Sequence, residues 1–218
     1  MDSKVNTTQA ETHQHASWYK RLFARMMNAE TESSRLYYGD HKRSLLGQLH
    51  GTVLEIGPGT GPNLPYYSPD IQWIGIEPNP AMFPYIEREA QRLGLTVQLR
   101  EGQAERLDAA DASVDAVVAT LVLCSVRNPQ KVLQEILRVL KPGGRFVFIE
   151  HVAAPPDTKL RRRQNFIRPF WRVFADGCEP TRETWTTIEQ AGFDYVKLEH
   201  FYIDNSFVGP HIAGVAVK

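Results

Sequence analysis

The sequence predicts one α/β domain: a mostly parallel seven-stranded sheet, helices on both faces and a helical lid at the N-terminus. Two observations predict it. Short apolar runs alternate with helical patterns from residue 51 to residue 151, the order that builds parallel sheet. The first run ends in a glycine-rich turn, and open parallel sheets bind ligands beyond the carboxyl ends of their strands. Length agrees, since 218 residues with 42% hydrophobic and 23% charged side chains make an ordinary globular domain.

Residues 1–16 are polar and without period, and read as a disordered tail. Trp18, Leu22 and Met26, with Tyr19, Phe23 and Met27, recur every four residues between Lys20, Arg21 and Arg25, which predicts an amphipathic helix capped by Ser17. A second helix is expected from Glu32 to Leu49, completing a cap over residues 17–50. The core, residues 51–151, carries expected strands at Thr52–Ile56, Ile71–Ile76, Leu95–Leu99, Val114–Thr120 and Arg145–Ile149. The last is launched by Pro142-Gly143-Gly144. A helix is expected directly after the glycine turn, and others over Pro80–Leu93 and Pro129–Leu140. Residues 152–218 form the remainder, with helices over Lys159–Phe174, broken at Pro169, and Thr181–Ala191, then strands at Tyr195–Phe201 and His211–Val217.

Charge and cysteine content exclude several classes. Lys+Arg and Asp+Glu are 25 each, so no global field holds a polyanion and nucleic-acid binding is not expected. Two cysteines, Cys124 and Cys178, exclude a disulfide scaffold and favour a reducing, cytoplasmic setting. No apolar run reaches the roughly 20 residues that span a bilayer, and residues 1–17 lack the apolar core of a signal peptide. The basic run Lys159, Arg161, Arg162, Arg163, Arg168 and Arg172 interleaves with Phe166, Phe170, Trp171 and Phe174. It reads either as a solvated helix face or, with Trp18–Met27, as a peripheral contact with an anionic membrane.

The sharpest signal is Glu55-Ile56-Gly57-Pro58-Gly59-Thr60-Gly61-Pro62-Asn63. Glycines let a ligand approach the backbone closely and permit positive φ. Some twenty residues on, Glu77 closes the second strand, where a carboxylate can accept both hydroxyls of a ribose. A dinucleotide fingerprint places its third glycine where this chain has Pro62, and Glu55 beside the turn would repel a pyrophosphate. The same acid favours a ligand bearing a sulfonium and an ammonium, so the pattern points to S-adenosylmethionine over a nicotinamide dinucleotide.

With these motifs the chain resembles the class I S-adenosylmethionine-dependent methyltransferases, whose fold is Rossmann-like. Glu55–Gly61 match the first motif, Glu77 the ribose acid, Gly102-Gln103-Ala104-Glu105 the adenine segment, with Gln103 for the usual Asp, and Asp111–Leu121 the fourth-strand motif. The resemblance implies a donor site of Tyr37, Tyr38, Glu55, Gly57, Pro58, Gly59, Gly61, Asn63, Glu77, Pro78, Asn79, Met82, Gln103, Ala104, Glu105, Thr120, Leu121, Val122 and Cys124. Tyr37 or Tyr38 serves there as a lid tyrosine that meets the donor's carboxylate. A narrower resemblance rests on Thr120–Val126, Glu150–Ala154, Asp176-Gly177-Cys178, Thr181-Arg182-Glu183 and Pro210-His211-Ile212. These are similar to the methyltransferase-like protein 7 family, membrane-associated enzymes that methylate alkyl thiols. That family's N-terminal hydrophobic anchor is replaced here by the amphipathic Trp18–Met27 segment.

The acceptor implied is a small molecule, and its class decides the chemistry. A thiol of pKa ~8.5 needs about 2 kcal/mol to become a thiolate at pH 7, an unactivated hydroxyl roughly 12. The seven histidines show no H-x-x-x-H or C-x-x-C spacing, so no metal is expected, which suits an easily ionised acceptor. Quinone rings, phenols and phospholipid amines stay open alternatives on the same fold. His151, after the fifth strand, is the first candidate for a general base, or is bonded within its own loop. Asp176 is the second, or caps a turn. Cys178 reads as reactive or as small buried packing, and His211 as structural.

Overall fold

The computed structural model describes residues 18–29, 31–204 and 208–218. The expected tail and the Ser17 cap lie outside them. Two helices, α1 (Trp18–Ala29) and α2 (Thr31–Leu46), precede β1 (Thr52–Ile56), β2 (Gln72–Glu77), α3 (Phe83–Leu93), β3 (Val97–Glu101) and β4 (Val114–Thr120). Then come α4 (Pro129–Val139), β5 (Leu140–His151), α5 (Lys159–Phe174), α6 (Thr184–Glu189), β6 (Tyr195–Tyr202) and β7 (Pro210–Val217). The seven strands form one sheet in the order β3-β2-β1-β4-β5-β7-β6. All pairings from β3 across to β5 are parallel, and β7 runs antiparallel to both β5 and β6.

Alternation along the central strands divides the core into two layers. Leu54, Ile56, Val117, Ala119, Phe146 and Phe148 pack with Val132, Leu133, Ile136 and Val139 of α4. Their neighbours Val53, Ala116, Val118 and Val147 face the other way, against Ala24 of α1, Leu46 of α2 and Ile86 and Ala90 of α3. A strand covered on both faces loses polar alternation, and that is why these runs read as continuously apolar. Helix α4 starts where Asn128 accepts the Lys131 N–H at 3.0 Å and Pro129 fills the first turn.

Three local expectations need correction. No helix follows the glycine turn. A single 3-10 turn, Leu64–Tyr66, stands there, because Pro62, Pro65 and Pro69 each lack the N–H that a continuing helix requires. Helix α5 runs unbroken through Pro169. The carbonyl that Pro169 leaves without a donor belongs to exposed Asn165, where water can take it. Helix α6 begins at Thr184 and not Thr181, whose hydroxyl donates to Glu179 at 2.6 Å instead of capping the helix.

Candidate active site

The carboxyl ends of β1, β2, β4 and β5 converge on one edge. Gly57, Gly59 and Gly61 all adopt positive φ, at 60°, 57° and 84°. The backbone is pinned by Gly57 N–H donating to Ile76 O at 2.8 Å and Gly61 N–H to Pro58 O at 2.9 Å. A Cβ on Gly57 would stand 2.9 Å from Val122 Cγ2, so the turn touches the loop after β4, whereas a Cβ on Gly59 would meet nothing within 4 Å. Pro58 is buried.

Glu77 is buried and spans two loops, accepting Gly59 N–H at 3.0 Å and Asn79 N–H at 2.9 Å. Burial raises its pKa to about 7 against the pull of those two bonds, and Asp176 pushes in the same direction as burial. Helix α1 covers this corner: Lys20 donates to Pro78 O and accepts, at its carbonyl, from Asn79 Nδ2, both at 3.1 Å. Asp176 itself is exposed, in a left-handed turn (φ 46°) that ends α5. Met82 lies in the core beneath Asn79 and away from solvent.

Glu55 is buried within β1. Its carboxylate takes Asn63 Nδ2 at 2.9 Å, Tyr67 Oη at 2.7 Å and Trp73 Nε1 at 3.0 Å. Burial pushes its pKa up, those three donors pull it down, and buried Lys42 adds to the downward pull. Asn63 also donates to Thr120 Oγ1 at 3.0 Å, while its own Oδ1 is buried with no partner. At the far end of the edge, Gln103 is exposed, Ala104 is buried, and Glu105 accepts Arg127 N–H at 3.0 Å. An open depression of about 740 Å³ lies there, lined by Arg100, Gly102, Gln103, Arg106 and Leu107.

The loop after β4 is held by a residue that sequence reasoning passed over. Glu150, wholly buried, accepts the N–H groups of Val122, Leu123 and Cys124 at 2.9, 2.8 and 3.3 Å. Leu121 sits at φ 58° to turn the chain toward it. The available signal was an acid in the otherwise apolar end of β5, opposite a loop of consecutive unpaired N–H groups.

Beside Glu150, His151 Nε2 lies 2.8 Å from Cys178 Sγ, and Trp171 Nε1 donates to the same sulfur at 3.0 Å. Cys124 completes the group: one ligand-type atom from each of Cys124, His151 and Cys178 falls within 4.8 Å of the others, and all three residues are buried. The neighbouring Cys178 sulfur pushes Cys124 well above the ordinary thiol range, with burial acting alike. The Cys124 sulfur, helped by the Trp171 N–H and opposed by burial, draws Cys178 down. Burial works to lower His151, the Cys124 sulfur works to raise it, and the net direction is up. His151 Nδ1 has no partner.

Tyr38 and Tyr37 part company. Tyr38 Oη bonds His211 Nε2 at 2.8 Å, and His211 Nδ1–H donates to Gly209 O at 2.7 Å, which ties α2 to β7. Tyr37 is half exposed.

The fold order and the glycine–carboxylate edge define a class I S-adenosylmethionine-dependent methyltransferase. A family model described as a methyltransferase domain matches residues 54–148. An S-adenosylmethionine-dependent methyltransferase of Thermotoga maritima superposes with a TM-score of 0.68 at 22% identity, over 93% of this chain and 100% of that one. Thiol S-methyltransferase TMT1B of Rattus norvegicus is 39% identical over 215 residues, 91% of this chain and 87% of the relative. TMT1A of Homo sapiens is 42% identical over 175 residues, 77% and 70% of the two chains. The chain belongs to the family that contains these two enzymes.

Proposed function

We propose that the protein transfers the methyl group of S-adenosylmethionine to the sulfur of a small thiol. The observation that carries this reading is the likeness, over nine-tenths of the chain, to relatives named thiol S-methyltransferases. Fold alone would not choose, since the [4+2]-cyclase SpnF shares it at a TM-score of 0.67 and 20% identity.

The donor brings an electrophilic methyl on a sulfonium. The chain's part is to bind, orient and exclude water. Two features fit the donor: the partnerless buried oxygen of Asn63, suited to an ammonium, and the open space over Gly59. In this reading Glu77 takes the ribose hydroxyls, Gln103 and Ala104 border the adenine, and Glu55 acts through the turn by its charge. Thr120, Leu121 and Val122 close the methyl side. Asp176, exposed in the turn that ends α5, bears on this corner only by its like charge, which helps raise the Glu77 pKa.

His151 is the acceptor-side catalytic residue. With Cys124 and Cys178 it holds the acceptor sulfur as thiolate, a task of about 2 kcal/mol at pH 7. A buried, sulfur-lined cluster in which Cys178 is drawn below the ordinary thiol range matches a thiol better than an alcohol. Incubation with labelled donor and a panel of thiols, phenols, amines and quinols tests the reading. The expected product is a methyl thioether with equimolar S-adenosylhomocysteine; methylation confined to oxygen, nitrogen or carbon acceptors overturns it.

Membrane contact is part of the proposal. Among the described residues no helix is long and apolar enough to cross a bilayer. Helices α1 and α5 lie together, with Tyr19 Oη donating to Val173 O at 3.4 Å, and both present exposed apolar and basic side chains.

A further inference from the structure

We propose that Cys124, His151 and Cys178 form a binding site for a thiophilic divalent cation of the zinc class, with its fourth position open to the acceptor. The role in turnover rests on the thiol-methylation reading; the site itself does not.

Three donors of the soft type converge in the interior. Their ligand-type atoms lie within 4.8 Å of one another, and no other group of three or more histidine, cysteine or acidic residues meets that criterion among the described residues. A tetrahedral zinc site with Zn–S of ~2.3 Å and Zn–N of ~2.0 Å has S···S edges of about 3.8 Å and S···N edges of about 3.6 Å. His151 Nε2 and Cys178 Sγ, at 2.8 Å, need open by less than roughly 1 Å to become such an edge. Backbone already fixes the two loops to each other, because Glu179 N–H donates to Cys124 O at 2.9 Å. The sulfurs also have outer partners of the kind that orient metal ligands. Trp171 Nε1 donates to Cys178 Sγ at 3.0 Å, and Ser125 Oγ lies 3.5 Å from Cys124 Sγ.

Charge balance supports a dication. A buried ion is tolerated when its ligands neutralise it: two thiolates with one neutral imidazole bring zinc to zero, and the neighbouring Glu150 carboxylate is satisfied apart by three backbone N–H groups. Each cysteine gives its S–H proton to solvent and its sulfur pair to the metal, while His151 Nε2 gives a lone pair. Two cysteines and one histidine with an exchangeable fourth position is a known catalytic donor set for zinc. Cys124 stands two residues beyond Val122, whose side chain packs on Gly57, so that fourth position can serve the methyl side of the donor edge.

An acceptor thiol entering there would displace water from a metal held by Cys124, His151 and Cys178 and would lose its proton to solvent. Its sulfur pair then forms the new S–C bond as the methyl-to-sulfonium bond breaks. That bond's pair stays on the donor's sulfur, leaving two neutral thioethers. The metal would thus be the means by which the cluster around His151 keeps the acceptor ionised.

The test uses the full chain, stripped with a chelator under reducing conditions and titrated with Co²⁺ as a spectroscopic stand-in, then with Zn²⁺. The expected result is one cobalt per chain, tetrahedral visible bands and a sulfur-to-cobalt charge-transfer band. That band halves in Cys124→Ser and in Cys178→Ser, and Zn²⁺ abolishes it. A small thiol should strengthen it by adding a third sulfur. Absence of the charge-transfer band in wild-type protein whose two thiols titrate as free overturns the site, as does a Cys124–Cys178 disulfide that persists under reductant. The two readings separate cleanly. A normal cobalt spectrum without thioether product leaves the metal site standing and removes thiol methylation. Full thioether production by protein that shows no cobalt band does the reverse.

Discussion

Glu77 reaches back from the end of β2 to accept the backbone N–H of Gly59 at 3.0 Å, and so fastens the glycine turn to the neighbouring strand. Its pKa of about 7, raised chiefly by burial, makes this fastening pH-dependent near neutrality. The carboxylate is the better acceptor for ribose hydroxyls, so donor affinity should fall as pH drops through about 7. Glu77→Ala should weaken donor binding by about 1.5–3 kcal/mol, roughly 10- to 150-fold. Glu77→Gln should flatten the pH dependence. Isothermal titration between pH 5.5 and 8.5 checks both, and an unchanged affinity in a folded variant would remove Glu77 from the donor site.

The same group and His211 should pull stability in opposite directions. The folded pKa of Glu77 lies above its unfolded value, so its contribution is present below about 4.5 and is lost as pH rises through about 7. Burial lowers His211 to about 4, so its contribution is present above about 6.5 and is lost as pH falls toward 4. Each is of order 3 kcal/mol, and between pH 4.5 and 6.5 they offset one another. Urea unfolding of wild-type protein should therefore vary little over that window on account of this pair. Glu77→Gln should uncover a loss toward acid, and His211→Gln a gain.

Gly57 and Gly59 share a left-handed conformation but differ in surroundings, which separates strain from collision. Alanine at either position bears about 1–2 kcal/mol of backbone strain. At Gly57 the new methyl also meets Val122 Cγ2 at 2.9 Å, and at Gly59 it meets nothing within 4 Å. Gly57→Ala should therefore be the less stable of the two by denaturant midpoint, and Val122→Ala should recover part of the difference. Equal midpoints would mean that the turn and the β4 loop are not in contact.

Glu150 anchors three consecutive N–H groups, and its removal strands them away from water. Glu150→Ala should cost about 2–4 kcal/mol in unfolding free energy and weaken the donor as well, because Val122 packs on Gly57. Glu150→Gln, which keeps one acceptor oxygen, should cost less. Guanidinium unfolding followed by donor titration measures the two effects separately.

The alternation of parallel strands and helices was legible because the central strands had to be apolar on both faces, and the glycine turn because positive φ at three alternate positions leaves few other residues; the order of the strands came only with the structure. The contacts that build the acceptor side were not. His151 and Cys178 are 27 residues apart, and Tyr38 and His211 are 173 apart. Their meeting is decided by the return of β7 beside β5 and by the loop after α5, which no local spacing encodes. Glu55 was legible as an acid by the turn, but its three donors come from Asn63, Tyr67 and Trp73, which reach it only after the chain has folded back through β2. The helix expected after Gly61 failed for a reason visible in the sequence, a proline at 62, 65 and 69, each removing a donor that helix propagation needs.

Trp18, Leu22 and Met26 of α1 and Phe166, Phe170, Val173 and Phe174 of α5 are exposed, on helices tied together by Tyr19 and Val173. Lys20, Arg21, Arg25, Lys159, Arg162, Arg163 and Arg172 flank them and are exposed too. Apolar side chains can enter the interface while each nearby cation adds about 1 kcal/mol on an anionic surface. The protein should therefore pellet with vesicles rich in phosphatidylserine at low salt and leave them at high salt. It should bind neutral vesicles far less. Trp18→Ala combined with Phe170→Ser should lower partitioning more than tenfold while the circular dichroism spectrum stays unchanged, since neither side chain supports the core. Recovery of wild-type protein in the supernatant at low salt would leave these two helices as solvated faces, and would require another occupant for their apolar side chains.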